Sequence, residues 1–85
     1  MQQTIYYLVD SNSGHRIQWY RTLTGARIAQ RLRNRRLGFD QRIERLEWAD
    51  NQSVEQYWVN DQVVTAPLII IEDTVDVNDV YDAEG

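Results

Sequence analysis

The chain has 85 residues, a formal net charge of −4 at pH 7 and no cysteine. This length suits one small domain over 1–85 with a modest core, and the missing thiols exclude disulfides, thiolate nucleophiles and cysteine-based metal sites. No apolar run approaches the ~20 residues of a membrane helix, and the N-terminus lacks the regions of a signal peptide, so we predict a cytoplasmic protein without membrane contact.

The first predicted element is a β-hairpin over residues 4–21. Its turn is the cluster Asp10-Ser-Asn-Ser-Gly14, and both arms are rich in Tyr, Ile, Val and Trp, which favour strands. A four-residue turn over 11–14 puts four apolar side chains on one face, which we expect to be buried, in two cross-strand pairs: Leu8 with Ile17 and Tyr6 with Trp19.

One main helix is predicted next, over about 25–37. Thr24 supplies the N-cap hydroxyl, and Gly38 is the C′ residue, because glycine adopts the left-handed conformation at little cost. We expect Phe39 to pack back on the last turn. A narrow apolar stripe, which we expect to face the core, consists of Ile28, Ala29 and Leu32.

The same helix carries five arginines and has no acid between Thr24 and Phe39. Three repeat at one helical turn and two flank them: Arg27, Arg31 and Arg35, with Arg33 and Arg36. One interpretation is structural, because arginine favours helices and cations in the last turn suit the helix dipole. The other is that this stripe binds negative charge on a partner.

Charge is separated along the whole chain. All nine basic residues are arginines between Arg16 and Arg45, a part with three acids, which gives it a charge of +6. The remainder has ten acids and no base, which gives it −10. A basic block in a net acidic chain indicates an acidic contact, inside or outside the molecule, more than simple nucleic-acid binding.

Two segments follow the helix. Residues 41–49 are predicted to form a strand with Leu46 and Trp48 on one face. Residues 53–59 fit a helix with a capping box, and they fit a strand before an Asn60-Asp61 turn equally well. We favour the helix, because the next strand needs a second cover.

That strand lies within residues 63–72, where 68–71 are Leu-Ile-Ile-Ile. Apolar side chains on both faces are typical of a strand that is covered on both sides. One helix covers one face, so the second cover is a second helix, another sheet or another subunit, and we predict a helix at 53–59 or a second copy of the chain in a homodimer. The acidic end, over about 76–85, is expected to fray.

Two segments resemble parts of glutaredoxin-like proteins. Thr65-Ala-Pro-Leu-Ile-Ile-Ile71 is similar to the segment in which a cis-proline precedes the third strand of that family, and Thr4-Ile-Tyr-Tyr7 is similar to its first strand. The resemblance implies a cysteine-free thioredoxin-like α/β fold. The C-x-x-C site of the family falls on Ser11-Asn-Ser-Gly14, which cannot exchange disulfides, so the implied domain is redox-inactive.

No enzyme motif occurs in the sequence. His15, the single histidine, lies beside the predicted turn, and no pattern in the sequence pairs it with a catalytic nucleophile or an orienting acid, so we expect a solvated turn residue. The C-terminal acids lack the spacing of a calcium loop, and no G-x-x-x-x-G-K phosphate loop is present. We therefore expect no catalytic residue, no cofactor, no metal site and no enzymatic activity.

The fold that we predict is α+β, with an N-terminal β-hairpin and one main helix packed on a small, mostly antiparallel sheet. The predicted function is a small non-enzymatic protein-interaction module, a regulator or inhibitor that binds a larger protein through a charged surface. The alternatives are a nucleic-acid-binding protein that uses the arginine helix and a redox-inactive glutaredoxin-like domain.

Overall fold

A computed structural model of the chain describes residues 2–39, 43–45 and 51–76. The elements are β1 (Gln2–Asp10), β2 (Arg16–Tyr20), α1 (Leu23–Arg36), β3 (Ile43–Arg45), β4 (Gln52–Ser53), β5 (Glu55–Val59), β6 (Gln62–Thr65) and β7 (Leu68–Asp76). These strands form a larger sheet of order β2-β1-β7-β4 and a smaller sheet of order β3-β5-β6, and all their pairings are antiparallel. The predicted α+β fold, with an N-terminal hairpin and one helix on a mostly antiparallel sheet, is confirmed.

The hairpin turn forms where the sequence predicts it. The Asp10 N–H donates to the His15 carbonyl at 2.9 Å, and the Asp10 carboxylate accepts from the Asn12 N–H at 2.9 Å. Both the N–H and the hydroxyl of Ser11 donate to the Pro67 carbonyl, at 2.9 Å and 2.7 Å. The turn is therefore tied to the loop that leads into β7.

The register of the hairpin differs from the predicted one. A β-bulge lies between Leu8 and Val9, and Ile17 is the extra residue on β2. A slip of one residue turns every later side chain to the other face of the sheet. Trp19 therefore does not belong to the core between the larger sheet and α1, and Tyr20, which is 7% exposed, lies there instead. The other residues of the predicted face belong to this core or pack against it: Tyr6, Leu8 and Ile17.

The helix α1 begins earlier than predicted and ends as predicted. Its N-cap is Thr22, whose hydroxyl accepts a first-turn N–H at 3.0 Å, so the prediction of Thr24 is wrong. At the C-terminus, Gly38 has a left-handed φ of 99°. The N–H groups of Gly38 and Phe39 donate to carbonyls of the last turn at 3.0 Å each, which is a Schellman motif. With 14 residues, α1 is neither long nor apolar enough to cross a membrane.

Residues 53–59 are extended, and the predicted helix is wrong. β5 and β6 are joined by the two-residue turn Asn60-Asp61, whose φ values of 51° and 62° suit a type I′ hairpin. Burial alternates along β5, because Glu55 and Tyr57 are buried whereas Trp58 is 42% exposed. The two-residue alternation of a strand is therefore the correct pattern for this segment, and the helical spacing of its apolar residues is not. β5 is extended because it pairs with a strand on each side.

β7 is buried on both faces, as predicted. Ile70, which pairs with Leu8, lies on the helix side and is 0% exposed. Ile69 pairs with Val9 on the opposite face, and both are buried as well. This burial exists within a single chain, so the second face of β7 gives no reason for a homodimer.

The thioredoxin-like alternative is wrong for the described residues. An α/β fold needs parallel strands joined by crossover helices, whereas both neighbours of β1 are antiparallel to it. The peptide bond before Pro67 is not cis. Of the strand predicted over 41–49, the structure describes 43–45 as strand; Leu46, Trp48 and the acidic end after Asp76 lie outside the described residues.

Candidate functional site

The face of α1 that turns inward is largely polar. Its buried residues are Ala26, Gln30 and Asn34, which follow one another at intervals of four. The predicted apolar stripe is wrong, because Ile28 is 58% exposed and Leu32 is 47% exposed. Residues two apart lie about 200° apart around a helix, so burying Gln30 turns Ile28 to the solvent.

Asn34 binds the start of β7 much as a neighbouring strand would. Its Oδ1 accepts from the Leu68 N–H at 3.1 Å, and its Nδ2 donates to the Leu68 carbonyl at 3.0 Å. The same Nδ2 donates to Glu55 Oε1 at 3.0 Å. Asn34 and Glu55 are both 0% exposed, so these bonds satisfy groups that water does not reach. Asn34 thereby joins the helix to both sheets.

Gln30 lies at the fork where the chain leaves the larger sheet. Ser53 still pairs with Ile70 of β7, whereas β5, which follows, pairs with β3 and β6. Gln30 Nε2 donates to the Ser53 carbonyl at 3.0 Å and to the Leu68 carbonyl at 3.1 Å. The amide therefore bridges two strands at the point where they diverge.

A chain of hydrogen bonds runs to the helix surface from the buried cluster that Gln30, Asn34 and Glu55 form. The Tyr57 hydroxyl donates to Glu55 Oε1 at 3.1 Å and accepts from Arg31 Nη1 at 3.3 Å. Arg31 Nη1 also donates to the Phe39 carbonyl at 2.9 Å. The Phe39 and Tyr57 rings are 5.3 Å apart, and the Arg31 guanidinium is 5.9 Å from the centre of the Tyr57 ring. Arg31 is thus held by groups outside its own helix.

The environment of Tyr57 raises its pKa to about 12. Burial is the main cause, because it disfavours the phenolate, and the negative charge and hydrogen bond of Glu55 add to it. Arg31 acts in the opposite direction. The hydroxyl therefore keeps its proton at neutral pH and remains a donor to Glu55.

We expect the fold to lose stability as the pH rises from about 10, the pKa of an unfolded tyrosine, toward about 12, the pKa of folded Tyr57. Because folding raises this pKa, the contribution is complete below the unfolded value and is lost as the pH rises through the folded value. Urea denaturation of the wild type and Tyr57→Phe across this range measures it. The difference in unfolding free energy between the wild type and Tyr57→Phe should shrink as the pH rises. A difference that stays constant would contradict the raised pKa of Tyr57.

The outward face of α1 carries a groove of about 460 Å³. Two exposed aliphatic side chains lie beside two half-buried arginines in it, and α1 contains no acid that could neutralise them. Thr24, the predicted N-cap, lies at this groove instead. The described residues that line it are Thr24, Arg27, Ile28, Arg31 and Leu32.

The five arginines predicted to bind a partner lie at different places around α1. Arg27 and Arg31 line the 460 Å³ groove. Arg33 and Arg36 line a second groove, of about 320 Å³, on the side of the hairpin turn. Arg35 is exposed and lines neither of these two grooves. The structure divides the set by position, and its role in binding stays a prediction.

The Gln30 end and the Asn34 end of the buried cluster differ in how many of their polar atoms are hydrogen-bonded. Among the described residues, the buried polar atoms without a hydrogen-bond partner are Arg27 Nε, Gln30 Oε1 and Ser53 Oγ. Gln30 contacts Ser53, so Gln30 Oε1 and Ser53 Oγ belong to the Gln30 end, whereas Arg27 lines the groove on α1. A buried unpaired polar group costs ~1–3 kcal/mol. At the Asn34 end, both amide atoms of Asn34 are hydrogen-bonded, so this end carries more of the stability.

Sequence reasoning missed the buried cluster and placed two surface residues in the core. A usable signal was present, because Gln30 and Asn34 are amides one turn apart and repeat as regularly as the apolar stripe. The strand interpretation of β5 would also have put Glu55 and Tyr57 on one face. Ala29, the third member of the predicted stripe, does pack against the core.

Comparison with known proteins finds no family model that matches the chain, no similar curated protein and no similar solved structure. Within residues 2–39, 43–45 and 51–76, no three histidine, aspartate or glutamate side chains are grouped so that they could hold a metal ion. His15 is exposed in the hairpin turn, as predicted.

Proposed function

We propose that the chain is a small, non-enzymatic protein-interaction module, a cytoplasmic regulator or inhibitor of a larger protein. Its docking surface is the 460 Å³ groove on α1, and the occupant is an acidic protein segment that carries aliphatic or aromatic side chains. The observation that carries this proposal is the exposure of Ile28 and Leu32 beside Arg27 and Arg31.

The aliphatic pair supports a protein partner. Ile28 and Leu32 lie one turn apart on the outward face and are exposed by 58% and 47%, so they add little to the core. An apolar centre bordered by arginines is the usual composition of a binding surface between proteins. Covering these side chains would remove apolar area from water, at roughly 25 cal/mol for each Å².

The charge pattern supports an acidic partner. Residues 2–39 contain seven arginines and a single acid, Asp10. Arg27 and Arg31 therefore present positive charge next to the aliphatic pair, and Asp or Glu side chains on a partner would complement it. Such complementarity speeds association and selects the partner more than it adds affinity.

A nucleic acid fits this surface less well. Phosphate binding requires cations but no exposed aliphatic pair. The net charge of −4 repels phosphates at long range, and the arginines are divided between two grooves. Nucleic acid is therefore an outcome to test and not the favoured occupant.

Selection of random displayed peptides on the immobilised wild-type chain tests the proposal. We expect the recovered peptides to combine several Asp or Glu residues with Leu, Ile, Phe or Trp. Synthetic copies should bind more weakly as salt increases, because surface charge pairs are screened. A labelled DNA duplex, followed by fluorescence anisotropy at ~150 mM salt, should not bind.

Three outcomes would overturn the proposal. The first is recovery of peptides without acids or without apolar residues. The second is duplex binding with a dissociation constant below about 1 µM at that salt, which would make this a nucleic-acid protein. The third is self-association, seen by sedimentation and removed by Ile28→Gln with Leu32→Gln, which would assign the surface to a second copy.

A further inference from the structure

Arg31 lies at the groove on α1 and also at the end of the hydrogen-bond chain that starts in the core. It lines the groove on α1, and its Nη1 is bonded to the Phe39 carbonyl and to the Tyr57 hydroxyl. Arg27, the other arginine of the groove, has a buried Nε without a partner among the described residues. Of these two groove arginines, Arg31 is the one that the fold holds through hydrogen bonds to groups beyond α1.

The hydrogen bonds that lead to Arg31 start at Glu55 in the core. Glu55 is 0% exposed, and its Oε1 accepts from Asn34 Nδ2 at 3.0 Å and from the Tyr57 hydroxyl at 3.1 Å. The hydroxyl is therefore oriented with its proton toward Glu55 and its lone pairs toward Arg31. Hydrogen bonds in such a chain polarise one another in a low-dielectric interior. The buried carboxylate thus acts on Arg31 through Tyr57.

We propose that Tyr57 is a positioning residue for partner binding: anchored on Glu55, it fixes the Arg31 guanidinium at the groove before the partner arrives. This inference rests on the proposed function and adds to it the residue that orders the docking surface. Its physical reason is that an ordered arginine loses less side-chain entropy on binding than a mobile one.

The first test needs no partner. Nitrogen-15 relaxation of the arginine Nε–H groups in the wild type should show an ordered Arg31 side chain, whereas exposed Arg35 should be mobile on the nanosecond timescale. In Tyr57→Phe, which keeps the ring beside Phe39 and the Arg31 bond to the Phe39 carbonyl, Arg31 should become clearly more mobile than in the wild type but stay more ordered than Arg35. Equal mobility of the two arginines in the wild type would overturn the inference, whatever the variant does.

The second test is a double-mutant cycle with one acidic peptide recovered on the wild type. We expect Tyr57→Phe to raise the dissociation constant about tenfold, mainly through faster dissociation. In an Arg31→Met background the same change should have less than about a twofold effect, because Tyr57 acts through Arg31. Equal effects in both backgrounds would reject positioning and leave a structural role.

Tyr20→Phe is the matched control, because it removes the same atom from another buried tyrosine. It should leave both peptide affinity and Arg31 order unchanged. The two failures are distinguishable. If no acidic peptide binds the wild type, the proposed function fails while the relaxation test still decides the positioning. If peptides bind and the cycle shows no coupling, the positioning alone fails.

Discussion

Asn34→Leu is expected to lower the free energy of unfolding by at least about 3 kcal/mol. The change keeps a similar volume but removes three buried hydrogen bonds, two to Leu68 and one to Glu55. The Leu68 N–H loses its Asn34 partner, and each buried polar group left unsatisfied costs ~1–3 kcal/mol, more beside a charge. A domain of this length has a total stability of roughly 4–13 kcal/mol. One amide therefore accounts for a large part of it.

Urea denaturation followed by tryptophan fluorescence measures this loss, provided that the dependence on urea is unchanged. Arg35→Leu is the matched control, because it introduces the same side chain at the neighbouring, exposed position. The control should change the stability by less than ~0.5 kcal/mol. A loss below about 1 kcal/mol in Asn34→Leu would mean that water or another group replaces the amide, and that this residue is not what joins the helix to both sheets.

The features that the sequence predicts correctly depend on neighbouring residues. The hairpin turn follows from the local chemistry of Asp10-Ser-Asn-Ser-Gly14, and Gly38 ends the helix because glycine takes a left-handed φ. The two-sided burial of β7 follows from four consecutive apolar residues, 68–71. Each of these features is specified by about five consecutive residues, so it can be predicted without knowing which distant residues it contacts.

The two largest errors, in the hairpin register and in the inward face of α1, depend on contacts that the local sequence does not specify. The bulge beside Leu8 moves Tyr20 into the core in place of Trp19, and nothing in the turn specifies this slip. The inward face of α1 is chosen by Leu68, Ser53 and Glu55, which lie far along the chain. An apolar stripe is a good guide only where the opposing surface is apolar. Opposite Gln30 and Asn34 that surface offers carbonyls and a carboxylate, so amides face it there.

The candidate site was half predictable for the same reason. Counting charges was enough to single out the arginines of α1, because their number and the lack of acids are properties of the sequence. Their division between two grooves depends on how the hairpin packs beside the helix. The exposure of Ile28 and Leu32 could be recognised only after the inward face was known to belong to Gln30 and Asn34.

Replacing both aliphatic residues, as Ile28→Gln with Leu32→Gln, is expected to weaken binding of the selected acidic peptides at least about a hundredfold. Well-packed apolar anchors at the centre of an interface commonly contribute ~2 kcal/mol or more each, and every 1.4 kcal/mol changes the dissociation constant tenfold. Isothermal titration with one synthetic peptide measures the change. Retained affinity in the double variant would show that the arginines alone bind the peptide.

The same double variant should keep the stability of the wild type, which separates this effect from unfolding. Glutamine has at least the helix propensity of isoleucine, and both replaced side chains are largely exposed, so the urea midpoint should stay within ~0.5 kcal/mol of the wild type. Val63→Gln is the control for a general loss of exposed apolar surface, because Val63 is 47% exposed on β6. It should leave peptide affinity unchanged, since a surface that binds through Ile28 and Leu32 does not include β6. Equal losses in the control and the double variant would indicate non-specific hydrophobic binding and would remove the reason for placing the partner on α1.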